Sequence, residues 1–484
     1  MRSHSPPGPI GWLDPVRLTC RHYLSMRLDP IRFFTRLGRR YGDIARFSLF
    51  GYRCYLVNHP ELIRTVLVKH ADDVRKLPRV VRTLKAALGD SLLTTEGQEW
   101  KQKRSALQQA FRSVELTRVA QLTVDEVNCW MARRSPACTL PIERTMNDMV
   151  QSIVTRFLFG TRLHDPDSVR DAVRFYSDRF YVESKALVPI PSWFPTFGNR
   201  RKRRSLQLVQ SAIASAARDG ISRLATRDDV LARLIRAIDD DCSGSMWDGE
   251  AAVKELMSLF VAGSHTLSVS LAWTWYLIAT HPDVQERIRE EVDRVASGRD
   301  IEPGDLEQLT YTRMVVDESL RLYPAAWELF GREVKRTIRL GAYDIPAGSL
   351  IMIAPVVTHR DARFFEDPLR FDPDRFSEGR RVAIAPFAYI PFGAGPHTCL
   401  GKTMTLSQMP LIVAAILKHD VVSTDRASPP KCVARVSMRP RRDIPIRFQR
   451  RPLVAADGGH PARQQVAAGG ALLGESRLPQ ETAQ

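Results

Sequence analysis

Phe392-Gly393-Ala394-Gly395-Pro396-His397-Thr398-Cys399-Leu400-Gly401 places one cysteine in a glycine-rich loop, directly ahead of the amphipathic run Lys402 to Lys418. A sulfur at the start of a helix sits where unpaired backbone N–H groups stabilise a thiolate, and a thiolate can ligate a metal. Gly395 and Gly401 flank it without side chains, which suits a backbone that turns tightly and lies close against a large flat ligand. Haem fits that description. An axial cysteine thiolate pushes electron density onto the iron and favours O–O cleavage, whereas an axial His or Met suits oxygen carriage or electron transfer. A cysteine taken alone reads as a structural residue in a strand-to-helix turn; the ordered spacing of Phe, Gly, His, Cys and Gly favours the ligand.

The chain has 484 residues, 44% of them hydrophobic, enough for a large single core. Its seven cysteines, at 20, 54, 129, 138, 242, 399 and 432, form no paired spacing, and their odd number argues against a disulfide framework. The opening residues carry Arg2 and no apolar run, so neither a secretory signal nor a membrane anchor is expected and the cytoplasm is the expected compartment. A formal net charge of +17 suits an acidic partner, and no nucleic-acid motif accompanies it. A solvated basic surface explains the same charge.

Outward from the cysteine loop, other pieces carry chemistry. Ile44 to Phe50 and Arg53 to Asn58 alternate around Gly51 and predict a β-hairpin, preceded by a helix over Pro30 to Tyr41. Trp100 and Arg104 stand one helical turn apart, so an indole and a guanidinium share a face and reach the same anion. Leu256 to Thr280 lacks Lys, Arg, Asp and Glu, and its length alone admits a transmembrane helix. Its hydroxyls, with Gly263 and His265, argue instead for a helix buried through the protein. Within it, Ala262-Gly263-Ser264-His265-Thr266 allows close approach at the glycine and a local opening at the threonine. Glu318 and Arg321 are spaced to pair on one helix face. Three prolines, Pro189, Pro191 and Pro195, break the helical region near Trp193, Phe194, Phe197 and the basic run from Arg200 to Arg204. That mixture resembles a membrane-interface segment, and an ordinary interhelical loop reads equally well.

Phe392, Gly395, His397, Cys399 and Gly401 together resemble the haem-binding loop of the cytochrome P-450 superfamily, with Cys399 at the place of the iron ligand. Many members carry Arg where this chain has His397, and both side chains donate to a carboxylate. The resemblance implies a mainly α fold with small β-sheets, an α+β arrangement. Residues 1–35 read as an irregular N-terminal segment, the resemblance implies a haem-thiolate monooxygenase domain over 36–448, and the Gly-, Ala- and Gln-rich composition without periodicity after Phe448 predicts a disordered tail over 449–484. Haem b (iron protoporphyrin IX) would be the cofactor, with propionate donors Trp100, Arg104, Arg332 and His397. The pair Glu318–Arg321 with Arg375 would lock the scaffold, and Ala325 to Phe330 would line the substrate pocket. Thr266 matches the family's oxygen-binding motif, while His265 replaces its usual acid. His265 would then be a proton conduit, its ordinary pKa lying near neutrality, or a packing residue.

The implied reaction is insertion of one oxygen atom of O2 into an apolar small molecule, terpenoid, fatty acyl or steroid-like. Electrons would come from a separate ferredoxin or flavin reductase, since no flavin or nicotinamide fingerprint follows the haem loop. A monomer with peripheral membrane contact through the proline-broken lid is expected. Two rivals stay open at this point: a haem-thiolate peroxygenase or isomerase needing no electron donor, and a non-catalytic haem sensor.

Overall fold

Antiparallel pairing of Ile44–Leu49 with Tyr52–Val57 forms the predicted hairpin. The computed structural model describes residues 6–9, 15–49, 52–113, 116–186, 194–221, 229–233, 249–426 and 428–451. Three more strands extend the hairpin into a five-stranded sheet, in the order Ile44–Leu49, Tyr52–Val57, Leu350–Met352, Arg332–Val334, Val74–Lys76. The sheet therefore joins the first hundred residues to the segment after 330, and it carries Arg332 in a strand rather than ahead of one. Helix Pro30–Tyr41 packs against it, started by Asp29, whose carboxylate accepts from Arg32 N–H, and by Pro30 in its first turn.

The opening segment is not irregular throughout. Pro15–Leu28 is a helix, tied to the hairpin by the His22 ring, whose Nδ1 meets the Ser48 backbone. A strand also appears at Ala137–Pro141, inside the stretch from Val114 to Leu234 that reads as mainly helical by periodicity; Pro445–Arg450 supplies its partner from the other end of the chain. Residues 1–450 form one compact unit, and the second, 451–484, lies outside the described residues apart from Arg451; of the tail expected over 449–484, Gln449 and Arg450 instead end the strand Pro445–Arg450, and the rest lies outside them. The proline break over 187–193 lies outside them as well.

Gly249–Thr280 is the central helix. Among the described residues it is the one helix long and apolar enough to cross a bilayer, yet 72% of its most apolar window is buried inside the protein. Its hydroxyls bond to its own backbone: Ser264 Oγ donates to Phe260 O (2.7 Å), Ser270 Oγ to Thr266 O (3.0 Å) and Thr274 Oγ1 to Ser270 O (2.9 Å). That internal satisfaction lets seven Ser and Thr side chains share a buried helix. Lys402–His419 follows the cysteine loop, but it is not amphipathic along its length. Every residue from Ser407 to Leu417 is buried, because helices Leu116–Arg133, Pro282–Ala296 and Thr310–Leu322 pack around it.

A buried charge network locks the segment ahead of the cysteine loop. Arg321 donates from Nε and Nη2 to the Glu318 carboxylate at 2.6 and 2.7 Å, with both side chains fully buried. Arg375 lies 3.6 Å from the same carboxylate, and Asp372 N–H donates to it at 3.0 Å. Arg321 also donates to the carbonyls of His359 and Pro368 at 2.6 and 2.8 Å, and His359 Nε2 accepts from Ile390 N–H at 2.9 Å. The chain is thereby fixed two residues before Phe392.

Candidate active site

The loop that carries Cys399 is shaped by two glycines in the left-handed region, Gly393 (φ 68°) and Gly395 (φ 71°). At Gly395 the demand is steric too: a Cβ there would lie 2.1 Å from the Leu67 carbonyl oxygen. Gly401 is not demanded by space, since its Cβ would meet the Cys399 sulfur only at 4.0 Å. Cys399 N–H donates to Phe392 O at 2.9 Å, and Thr398 Oγ1 to Gly395 O at 2.7 Å, so the loop folds back on itself. Phe392 packs against the main core and anchors the loop's start.

Cys399 is open to solvent-sized space and yet deeply surrounded by protein. A side chain with both properties stands on the wall of an internal recess rather than on the outer surface. Burial pushes the thiol's pKa up, against the Gly401 N–H and the Arg104 charge, which favour the thiolate.

Beside it the His397 ring lies on Trp100, their centroids 3.9 Å apart and tilted by 36°. Burial and the neighbouring Arg332, Lys76 and Arg104 cations push the His397 pKa down to about 3. The ring is neutral at physiological pH and donates through one N–H only. Arg104, from the helix Gly97–Ser113, leaves its Nε without a hydrogen-bond partner among the described residues. Arg332 leaves Nη1 in the same condition, although its side chain is buried. Buried guanidinium nitrogens without acceptors are costly, and an anion at this place satisfies them.

Lys76 was not singled out by sequence. It ends the strand Val74–Lys76, is 7% exposed, and donates from Nζ to Leu92 O (3.0 Å) and Thr95 O (2.8 Å) beside the Trp100 ring. Burial pulls its pKa down to about 8. A lone lysine in a three-residue strand carries no motif, and only the fold brings it here. Three cations thus converge, against Glu96, at 3.9 Å from Lys76 Nζ, and the buried Glu255, whose charge also acts on Lys76. A flat ligand with two carboxylates and a metal facing Cys399 matches this donor set, so the residues fit haem.

Thr266 and His265 belong to another wall, and among the described residues neither bonds to the group around Cys399. Along the buried central helix Leu259, Ala262, Gly263 and Thr266 are only partly covered, a stripe at i, i+3, i+4 and i+7. A Cβ on Gly263 would meet nothing within 4 Å, so open space lies against this stripe. Thr266 Oγ1 donates to Ala262 O at 2.8 Å, which leaves the oxygen's lone pairs facing outward. His265 points elsewhere: its Nε2 lies 2.8 Å from Ser437 Oγ, and burial followed by the Arg439 charge pushes its pKa down to about 4. The near-neutral pKa expected of it is therefore absent, because full burial disfavours the imidazolium. Of the segment Ala325 to Phe330, Trp327 is fully buried in the N-terminal core and donates its indole N–H to Arg435 O, while Phe330 is exposed.

The family model described as Cytochrome P450 matches residues 15–445. A cyclooctat-9-en-7-ol 5-monooxygenase from Streptomyces melanosporofaciens is 33% identical over 401 residues, covering 82% of this chain and 85% of the relative. Cyclooctatin synthase from the same organism is 31% identical, with 82% and 86% covered. A pentalenene oxygenase from Streptomyces avermitilis is 27% identical over 457 residues, with 92% and 94% covered.

Proposed function

The chain belongs to the cytochrome P450 family of haem-iron monooxygenases, and from that premise we propose that it oxidises a terpenoid, using O2 and electrons from a separate ferredoxin or flavin reductase. When bound, haem b supplies the oxidising chemistry. Cys399 is its iron ligand in this reading, within the loop set by Phe392, Gly395 and Gly401. Arg104, Arg332, Lys76, Trp100 and the neutral His397 hold its carboxylates. The observation that carries the reading is a pair of buried guanidinium nitrogens without a partner among the described residues, Arg104 Nε near Cys399 and His397, and Arg332 Nη1 near His397. Support for the terpenoid class comes from relatives named for oxidising cyclooctat-9-en-7-ol and pentalenene.

On the opposite wall the partly covered stripe Leu259, Ala262, Gly263 and Thr266 holds the apolar substrate and excludes water. Thr266 Oγ1, its own proton directed to Ala262 O, is left as an acceptor and holds a water or a substrate hydroxyl by a hydrogen bond. His265, neutral at pH 7, shares a hydrogen bond at Nε2 with Ser437 Oγ, which is itself buried. The enzyme acts in this reading as a cytoplasmic monomer. It touches a membrane surface through Phe197, 81% exposed, Phe194 and the basic run Arg200 to Arg204.

The test is the carbon monoxide difference spectrum of the reduced protein and of Cys399→Ala, followed by turnover of cyclic terpene hydrocarbons with NADPH, ferredoxin and ferredoxin reductase. The expected result is a strongly red-shifted Soret band that the substitution abolishes, and oxygenated terpene that requires the reductase. Haem whose spectrum ignores Cys399 overturns the ligand assignment. Turnover of fatty acids but not terpenes overturns the substrate class.

A further inference from the structure

A second recess lies away from the Cys399 wall, between the helix Pro15–Leu28, the end of the helix Pro166–Ser184 and the turn that joins Cys432–Ala434 to Met438–Pro440. Its volume is about 90 Å³. That is well above the ~10–15 Å³ one water needs, room for a single headgroup and too little for a polycyclic substrate.

Its lining is cationic and aromatic. Tyr23, Met26 and Arg27 come from one face of the first helix; Tyr181, Val182 and Lys185 from the end of the second; Arg435 from the turn. Glu328, 8% exposed, is taken up by Lys185 Nζ at 3.1 Å. Arg27 and Arg435 have no carboxylate in ion-pair range among the described residues; Arg27 meets only the Tyr23 hydroxyl, at 3.2 Å, and its ring. Arg435 lies 5.5 Å from the Tyr181 ring centroid and is positioned by its backbone. Its N–H donates to Ser437 O at 3.1 Å, and its carbonyl accepts from the buried Trp327 indole at 2.8 Å. The recess thus keeps two uncompensated guanidiniums, one on a fixed turn, over tyrosine faces. Guanidinium forks match carboxylate and phosphate oxygens in pairs. Met26 and Val182 add apolar lining beside the two tyrosine rings.

We propose that this recess binds the oxyanion headgroup, phosphate or carboxylate, of an amphiphile whose apolar chain leaves it past Met26, Val182 and the tyrosine rings. The site stands apart from the residues assigned to haem and is independent of the terpenoid reading. Isothermal titration of the haem-loaded protein with octyl phosphate, against octanol and inorganic phosphate, tests it. Octyl phosphate is expected to bind at least about tenfold more tightly than either, since each of those lacks one half of the recognised group. Arg435→Gln and Arg27→Gln should each weaken it by about tenfold and leave octanol unchanged. Arg435→Gln keeps both backbone bonds of the turn, and the Soret band checks that the fold is intact. Equal affinity for octyl phosphate and octanol overturns the site, as does binding indifferent to both substitutions. Phosphatidylglycerol vesicles, against phosphatidylcholine, separate the sources of the headgroup. Retention that needs Arg435 assigns a bilayer lipid, and octyl phosphate binding without such retention assigns a soluble amphiphile.

Discussion

Replacing Glu318 with alanine removes the acceptor of four interactions at once. Arg321 loses two charged hydrogen bonds of 2.6 and 2.7 Å, Asp372 N–H loses its acceptor at 3.0 Å, and Arg375 loses its counter-charge at 3.6 Å. Charged hydrogen bonds contribute about 1.5–3 kcal/mol each. Their sum overstates the loss, because Arg321 keeps the carbonyls of His359, Pro368 and Arg370. Breaking a buried pair from one side costs about 3–5 kcal/mol, set against a total stability of about 5–15 kcal/mol. The control is Arg287–Asp374, also two-pronged at 2.8 and 2.8 Å, with side chains 47% and 43% exposed. Arg287→Ala should cost no more than about 1 kcal/mol. Urea unfolding followed by tryptophan fluorescence and haem content per chain measure both variants. Glu318→Ala is expected to lose most of its haem and shift its midpoint strongly, and Arg287→Ala to do neither. A Glu318→Ala protein with full haem and the parent midpoint, or an Arg287→Ala protein equally damaged, refutes the reasoning from burial.

Three further outcomes are expected. Gly395→Ala should melt well below Gly393→Ala: each puts a side chain at positive φ, costing about 1–2 kcal/mol, but only Gly395 drives a Cβ to 2.1 Å from a backbone oxygen, against 3.9 Å from the Leu329 side chain at Gly393. Equal thermal midpoints would contradict this. His265 stays neutral in the folded protein down to about pH 4, whereas the unfolded chain protonates it near 6.5. Between those values the unfolded state binds the extra proton, so stability falls as pH falls, by about 1.4 kcal/mol per pH unit from this residue. His265→Gln should flatten the pH 4–6.5 stability slope by that amount, and an unchanged slope counts against the buried neutral ring. Lys76→Met should transfer haem to apomyoglobin about tenfold faster, through loss of a charged group worth about 1.5 kcal/mol or more. A parental transfer rate removes Lys76 from the anion site.

Local chemistry was legible in the sequence. The cysteine loop, the hairpin around Gly51, Trp100 with Arg104, and Glu318 with Arg321 are each specified within a few residues, and the structure gives them that local form. Features that need a distant partner were not. The strand Ala137–Pro141 has meaning only beside Pro445–Arg450. Lys76 enters the cation cluster because the sheet lays Val74–Lys76 against Arg332–Val334. Ser437, in a turn without a signature, becomes the partner of His265 only once the C-terminal hairpin lies on the central helix. The depressed His265 pKa follows from enclosure, which periodicity does not quantify. Helix Pro15–Leu28 was missed because its stabilising contacts, such as His22 on Ser48, are tertiary.

The contact of Gly395 with the Leu67 carbonyl also governs the order of assembly. The two residues are near opposite ends of the chain, and their touch leaves no room for even a methyl group. The cysteine loop emerges late in synthesis and takes its shape against a surface made early. Closing so distant a contact is slow, since chain entropy is lost before the contact rewards it. The Cys399 loop should therefore take its shape among the last events of folding, after the N-terminal sheet has formed, and a chain stalled before that point would show a loose, reactive thiol.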